Sequence, residues 1–458
     1  MSKPRPSLLR ALPFTCALIL ASACTSTPGP APSASAQATP LERARNMMDT
    51  GRMEEAVSLL SRAHRDAPDD LDIARAFTEA QVRSGATEAF LQSLASRPPS
   101  PVVHYMRGLA LFTRPADASG PAIDAFRTAT EGAPERAELH YRLGVALLET
   151  EQVEEALPPL QRALELEPTN ARFRLPLAKA LALTGDREGA VAQLALLVRS
   201  EPAPTTADIQ VGRQLMLIVA DPYSGIPASV RPRIDQGLAA LHERDQPQPA
   251  IVAFEEILRD FPDLAVVHSL VGLAWLRLDD AGRALDRFRK ATELAPWDGH
   301  NHLYLGNLYA SRQRPDQALE AWRRAVELHP LLGDAWSQIG ATLFEQGDLD
   351  GAAEALRITT VLEPGDPVAF GRLAMAHQLA GRLGPAEDAL ARAIRLAPSD
   401  AGLHLSMGAL LAERAQASTG ATRSSFRTRA REAYQKVLEL QPDNLVAAGA
   451  LERLSAAP

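Results

Sequence analysis

Small, large and helix-breaking residues recur along this chain in one spacing. Prolines stand at Pro134, Pro168 and Pro202 and again at Pro262, Pro296, Pro330, Pro364 and Pro398, with successive members of each set 34 residues apart. Eight residues before a proline lies a large apolar side chain: Leu160, Leu194, Phe254, Phe288, Trp322, Leu356 or Leu390. Twelve before it lies an alanine (Ala156, Ala190, Ala250, Ala284, Ala318, Ala352, Ala386), and five before it often another (Ala163, Ala291, Ala325, Ala393). A glycine often stands twenty-four before it, as at Gly144, Gly272, Gly306 and Gly340. Acidic pairs such as Glu154-Glu155 and Glu255-Glu256 fall between these positions and predict solvated helix faces. Self-similarity at this period predicts stacked helical units instead of one globular core. The small residues let two antiparallel helices approach closely, the bulky one fills the space between them, and the proline ends the second helix.

The cleanest copy runs from Gly299 to Pro330, with Gly306, Tyr309, Ala318, Trp322, Ala325 and Pro330 in place. In these residues the chain resembles the tetratricopeptide repeat family, over roughly residues 41–455. The resemblance implies an all-α fold, a right-handed superhelical solenoid of antiparallel helix pairs. Some copies depart from the pattern. The segment 70–101 lacks the glycine, the next keeps Gly108 with shifted spacing, and a partial copy begins near Gly212.

The interval from Pro202 to Pro262 is 60 residues, which is no multiple of 34. The stretch 221–227, Asp-Pro-Tyr-Ser-Gly-Ile-Pro, therefore predicts a break between an N-terminal block, 41–220, and a C-terminal block, 228–442. A hinge and a fixed irregular turn both suit this stretch. Residues 443–458 predict a capping helix and tail, since Leu445, Val446, Ala450, Leu451 and Leu454 can cover the apolar face of the last repeat. An insertion between Gly408 and Ala430, centred on Ala415–Ser425, predicts a surface loop.

At the N-terminus, Lys3, Arg5 and Arg10 precede an apolar stretch from Ala11 to Ala21 that is too short to span a bilayer. Residues 1–23 thus read as a signal peptide. The run Ala21-Ser22-Ala23-Cys24 resembles the lipobox of bacterial lipoproteins, which implies lipidation of Cys24 and attachment to a membrane. An ordinary signal-peptidase site would cut the same bond. Thr25, standing where an aspartate retains some lipoproteins at the inner membrane, implies the outer membrane, facing the periplasm. Residues 24–40, rich in Ala, Pro, Ser and Thr, predict an extended tether. The chain has two cysteines, Cys16 and Cys24, so the folded part offers no disulfide, zinc cluster or thiol nucleophile.

A net charge of −8 argues against nucleic acid or anionic lipid as the main partner. Aromatic residues make up 5% of the chain, too few for a sugar- or base-stacking platform. The chain carries no Gly-rich phosphate loop, G-x-S-x-G elbow or H-E-x-x-H helix, so we expect no enzyme activity, cofactor or small-molecule substrate. His104, His140, His268, His302 and His404 each stand four residues before a repeat glycine. Packed helices lie about 8–10 Å apart, too far for such a row to share one metal ion. The resemblance implies instead that these histidines replace a packing tryptophan.

In the family, positions three before and one after the repeat glycine face the concave groove. Carried onto this chain they are Tyr141 and Val145, Ser269 and Leu273, Leu303 and Asn307, Ser337 and Ala341, Gly371 and Met375, and Leu405 and Ala409. Asn307 alone matches the clamp with which one subclass holds a peptide carboxylate. A groove of Leu, Ala and Ser suits an apolar helix or extended segment of another protein. The expected function is a lipid-anchored scaffold or assembly factor of the bacterial envelope, of the kind that serves pilus, motility or export machinery. The alternative is a noncatalytic accessory subunit of an envelope enzyme, such as a glycan synthase or a secreted oxidoreductase.

Overall fold

The computed structural model describes residues 38–113, 119–219, 221 and 226–456. The expected signal peptide, Cys24, nearly all of the tether and Pro222–Gly225 of the break lie outside them. The chain divides into two compact units after Leu196.

The first unit contains α1 (Pro40–Asp49), α2 (Met53–Asp66), α3 (Leu71–Arg83), α4 (Thr87–Ala95), α5 (Pro101–Phe112), α6 (Ser119–Gly132), α7 (Ala137–Glu149), α8 (Val153–Leu166), α9 (Arg174–Thr184) and most of α10 (Arg187–Val198). The second opens with α11 (Thr206–Val219), α12 (Arg231–Leu238), α13 (Pro247–Asp260), α14 (Ala265–Arg277) and α15 (Ala281–Leu294). It continues through α16 (Gly299–Ser311), α17 (Pro315–Leu328), α18 (Gly333–Glu345), α19 (Leu349–Leu362), α20 (Pro367–Leu379), α21 (Leu383–Leu396), α22 (Ala401–Gln416), α23 (Gly420–Leu440) and α24 (Leu445–Ala456). Among the described residues there is no strand. Within each unit the helices pack chiefly on their neighbours in sequence, so the all-α repeat array is built from local pairings.

The punctuation works as its chemistry requires. A residue before proline is pushed out of the α region, and Glu167 and Ala295, before Pro168 and Pro296, have φ −131°, ψ 78° and φ −132°, ψ 73°. Two residues after the proline, Asp298, Asp366 and Asp400 accept backbone N–H groups of the next helix, which satisfies donors that its first turn leaves unpaired.

Where a pair has the glycine, it packs against the large residue. A methyl group added at Gly340 would stand 2.7 Å from Leu356 Cγ, and one at Gly272 2.9 Å from the Phe288 ring. Only a bare Cα permits this approach. The same rule completes the repeat that lost its register. Gly237 on α12 faces Phe254 on α13, one residue earlier than the regular spacing, and a π-turn over Ala239–Glu243 takes up the extra residue.

Two outcomes differ from the sequence expectations. Residues 415–425 form no long surface loop: Ala415 and Gln416 continue α22, and α23 begins at Gly420. Glu387 of α21 pairs with both Arg414 and Arg429, and the Arg414 guanidinium lies 4.5 Å from the centre of the Phe426 ring. Side chains on the two lengthened helices thus hold them against α21 and each other. Helix α11, which precedes the 221–227 stretch, goes with the second unit and packs on α19.

Candidate functional site

Four of the five histidines of the row have a structural explanation. The Nε2–H groups of His140, His268 and His404 donate to the carbonyls of Pro134, Pro262 and Pro398 at 2.8–2.9 Å, and that of His302 to Pro296 at 3.4 Å. Trp336 makes the same bond from Nε1 to Pro330 at 2.9 Å. Histidine and tryptophan therefore do one job here, closing the turn before their own helix. Burial holds His268 and His302 below the usual imidazole range, with the proline carbonyl opposing it. Among the described residues no three His, Cys, Asp or Glu side chains are grouped to hold a metal.

In the first unit the expected groove positions are filled. Tyr141 and Val145 on α7 are buried. The Tyr141 ring stacks on Phe173 with centres 4.9 Å apart, and the Arg172 guanidinium covers it at 4.5 Å. Beside it Glu138 accepts from the Tyr105 hydroxyl at 3.0 Å and from Arg142 Nε at 2.8 Å, and it also pairs with Arg172. Burial pushes the Glu138 carboxyl up, but Arg142 and Arg172 outweigh it and hold the group below its ordinary range. Burial likewise raises the Tyr105 phenol, and the Glu138 charge adds to the effect. This face presents no open apolar surface at Tyr141 and Val145, which corrects their assignment as contact residues.

The second unit differs along its row of first helices. Ser269 on α14 is buried and donates to Asn301 Oδ1 at 2.6 Å, and Leu303 on α16 is buried too, so neither offers contact surface. Leu273, Ser337, Ala341 and Leu405 are half-buried, whereas Asn307, Met375 and Ala409 are exposed. Asn307 accepts a hydrogen bond from Trp322 Nε1 at 2.9 Å, which ties its side chain to its own repeat. Arg372 reaches Ser337 across adjacent repeats at 3.4 Å, and Gln378 reaches Glu413 at 2.8 Å.

Helix α20 carries the most exposed apolar surface of this row. Val368, Met375 and Leu379 are 56%, 50% and 64% exposed. At positions i, i+7 and i+11 they form one stripe along the helix. Only Met375 follows from the repeat positions; the helical spacing of the other two is the signal that could have found them. Farther along, a cavity of about 570 Å³ opens between α22, α23 and α24, lined by Ala409, Glu413, Arg423, Arg427, Tyr434 and Arg453 among others. The lengthened α23 supplies two of its three arginines.

Family models of the tetratricopeptide repeat match residues 122–171, 303–367 and 342–401, and a second model of the same repeat matches 151–209. A search of curated proteins finds no match. Among solved structures the chain is similar to YrrB, a TPR protein with an unusual peptide-binding site, at 21% identity over 44% of this chain and 98% of that one, with a TM-score of 0.39. It is also similar to PilF of Pseudomonas aeruginosa, at 17% identity over 49% and 96%, TM-score 0.39. The type IV pilus biogenesis factor PilW is similar at 18% identity over 49% and 100%, TM-score 0.37.

Proposed function

We propose that this tetratricopeptide repeat protein is a noncatalytic scaffold that receives a segment of another protein along the first helices of its second unit, between α16 and α22. The observation that carries this reading is the open stripe of Val368, Met375 and Leu379 on α20, flanked in the same row by exposed Asn307 and Ala409. An apolar stripe of this kind on a repeat surface suits an amphipathic or extended segment laid across several helices. The three arginines of the cavity beyond α22 suit an acidic group at one end of that segment.

Lipid anchorage at Cys24 in the bacterial envelope belongs to the same proposal and rests on the lipobox-like run at Ala21–Cys24. Multiple acyl chains would give stable attachment, and the Ala/Pro/Ser/Thr-rich segment would let the array stand away from the membrane.

Affinity capture from detergent-solubilised envelope tests the binding surface. Met375→Asp with Leu379→Asp places two charges in the stripe, where unpaired charge is costly to desolvate. Wild-type protein should recover a defined partner that the folded double variant loses. Recovery of the same partner at equal strength by a variant with unchanged circular dichroism would move the site elsewhere. Labelling with a fatty-acid analogue tests the anchor: the wild type should take up label and Cys24→Ser should not.

A further inference from the structure

Helix α11 departs from the rule that helices here pack on their neighbours in sequence. Arg213 Nη2 donates to the Leu362 carbonyl at 3.2 Å and to Glu363 Oε1 at 2.5 Å, 149 and 150 residues away. It thereby satisfies a carbonyl that the C-terminus of α19 leaves without an intrahelical partner. Just before α11, the Arg199 guanidinium lies 5.2 Å from the centre of the Trp336 ring on α18. Helix α11, which carries Arg213 at its middle, is amphipathic. Ile209, Gly212, Leu215 and Met216 are buried, while Gln210, Gln214 and Leu217 are exposed.

The turn next to both attachment points is unusual in the same sense. Pro330 and Leu331 are buried, although the matching prolines of the other turns are exposed or half-buried. Leu332 stands where Asp298, Asp366 and Asp400 cap their helices, and like Arg136 and Leu264 in two other turns it supplies no side-chain cap, so the burial of Pro330 and Leu331 is what sets this turn apart. The first turn of α18 therefore lacks the side-chain acceptor that an aspartate would give its backbone N–H groups. An apolar, uncapped turn is ill suited to water and well suited to being covered.

We propose that the edge formed by residues 329–336 and 362–363 is a helix-docking site, distinct from the apolar stripe on α20 and filled in cis by α11. The helix it takes is amphipathic, with a small residue between its apolar ones and an arginine that reaches the end of α19. A partner helix of that chemistry would bind by displacing α11.

Two measurements on the full chain test this. Glu363→Arg should speed amide exchange across residues 206–219 by about tenfold or more, and Arg213→Glu added to it should restore protection by reversing the ion pair. A labelled peptide of residues 204–219 should bind poorly to the wild type. It should bind about tenfold tighter to a chain whose own α11 is detached by Ile209→Asp and Met216→Asp. Protection of α21 and α22 reports whether the array stays folded in each variant. Unchanged exchange over 206–219 in Glu363→Arg, no rescue by the charge reversal, or equal peptide binding by the wild type and a folded detached chain would each overturn the proposal. Where the detached chain unfolds, the charge-reversal pair decides alone.

Discussion

Val145 of the first unit and Met375 of the second each stand one residue after the small residue of a first helix, yet Val145 is 6% exposed and Met375 is 50% exposed. Around Val145 the row is closed by large side chains: Tyr105 and Tyr141 are buried, Phe173 stacks on Tyr141, and Arg142 and Arg172 converge on Glu138. Around Met375 the neighbouring positions hold Gly371, Ala341 and Ala409, whose side chains are too small to cover it. Position in a repeat therefore sets which way a residue points. The size and charge of the residues beside it decide whether that direction leads to solvent or to a core.

The strongest way to break this contrast is to open the closed row. Glu138→Ala leaves Arg142 buried without its carboxylate and frees Arg172 from its pairing. Losing one partner of a buried pair costs about 3–5 kcal/mol. Urea denaturation should show that loss, and amide exchange should place it in α5 to α9 while α16 to α22 keep their protection. A silent substitution would mean that packing of Tyr141 on Phe173 closes the row without the charges.

Within the second unit the contrast can be sharpened at Leu303, whose repeat position predicted a groove but whose side chain is buried. Leu303→Ala should cost about 2–5 kcal/mol, as for a buried leucine. A change near zero by thermal or chemical denaturation would return Leu303 to the binding surface.

These cases mark what the residues themselves reveal. The helix pairs were legible because each relies on contacts inside one 34-residue unit: Gly340 against Leu356, Glu167 forced out of the helix by Pro168, Asp298 capping the turn after Pro296. The bond from the His268 imidazole to the Pro262 carbonyl is local too, and the sequence pattern does not show its donor role. Gly237 was missed because a π-turn shifts its spacing by one residue. The 415–425 insertion reads as a loop because of its Gly and Ser, whereas a turn at 417–419 suffices and Arg414 and Arg429 hold the helices on either side of it to Glu387. The exposure of Met375 and the docking of Arg213 on Glu363 depend on residues from other repeats. No single-repeat pattern carries that information.

Acid should separate the units by a different route. In the second unit burial holds His268, His302 and His377 below the usual imidazole range, and burial together with His300 brings His329 from 6.5 to about 4. A histidine with a lowered folded pKa contributes stability that is complete above its unfolded pKa and is lost as pH falls through the folded one. For His329 that window runs from about 6.5 to about 4, with at most about 3 kcal/mol at stake. In the first unit His64 acts in the same direction, but Glu79 and Glu149, raised by burial, act in the opposite one. The lowered Glu138 holds its contribution until pH falls below 4.5. Amide exchange followed from pH 7 to 4 should therefore show the second unit losing protection first. Loss in the first unit at higher pH would reverse the assignment, and His329→Gln should flatten the dependence of the second.

The smallest expected change in stability is at the open stripe itself. Met375→Ala and Leu379→Ala remove side chains that are 50% and 64% exposed, so each should shift stability by no more than about 0.5 kcal/mol. Both lie on the same helix and differ from Leu373, which is buried two residues before Met375 and should respond as Leu303 does. The three variants thus share backbone, propensity and repeat, and only burial distinguishes them. Denaturation midpoints measured side by side decide the matter: a strong loss at Leu373→Ala with near-silence at Met375→Ala and Leu379→Ala fits a stripe kept apolar for contact with something outside this fold. A loss of 2 kcal/mol or more at Met375→Ala would make that side chain part of the core after all, and the difference between the two units would shrink to one of degree.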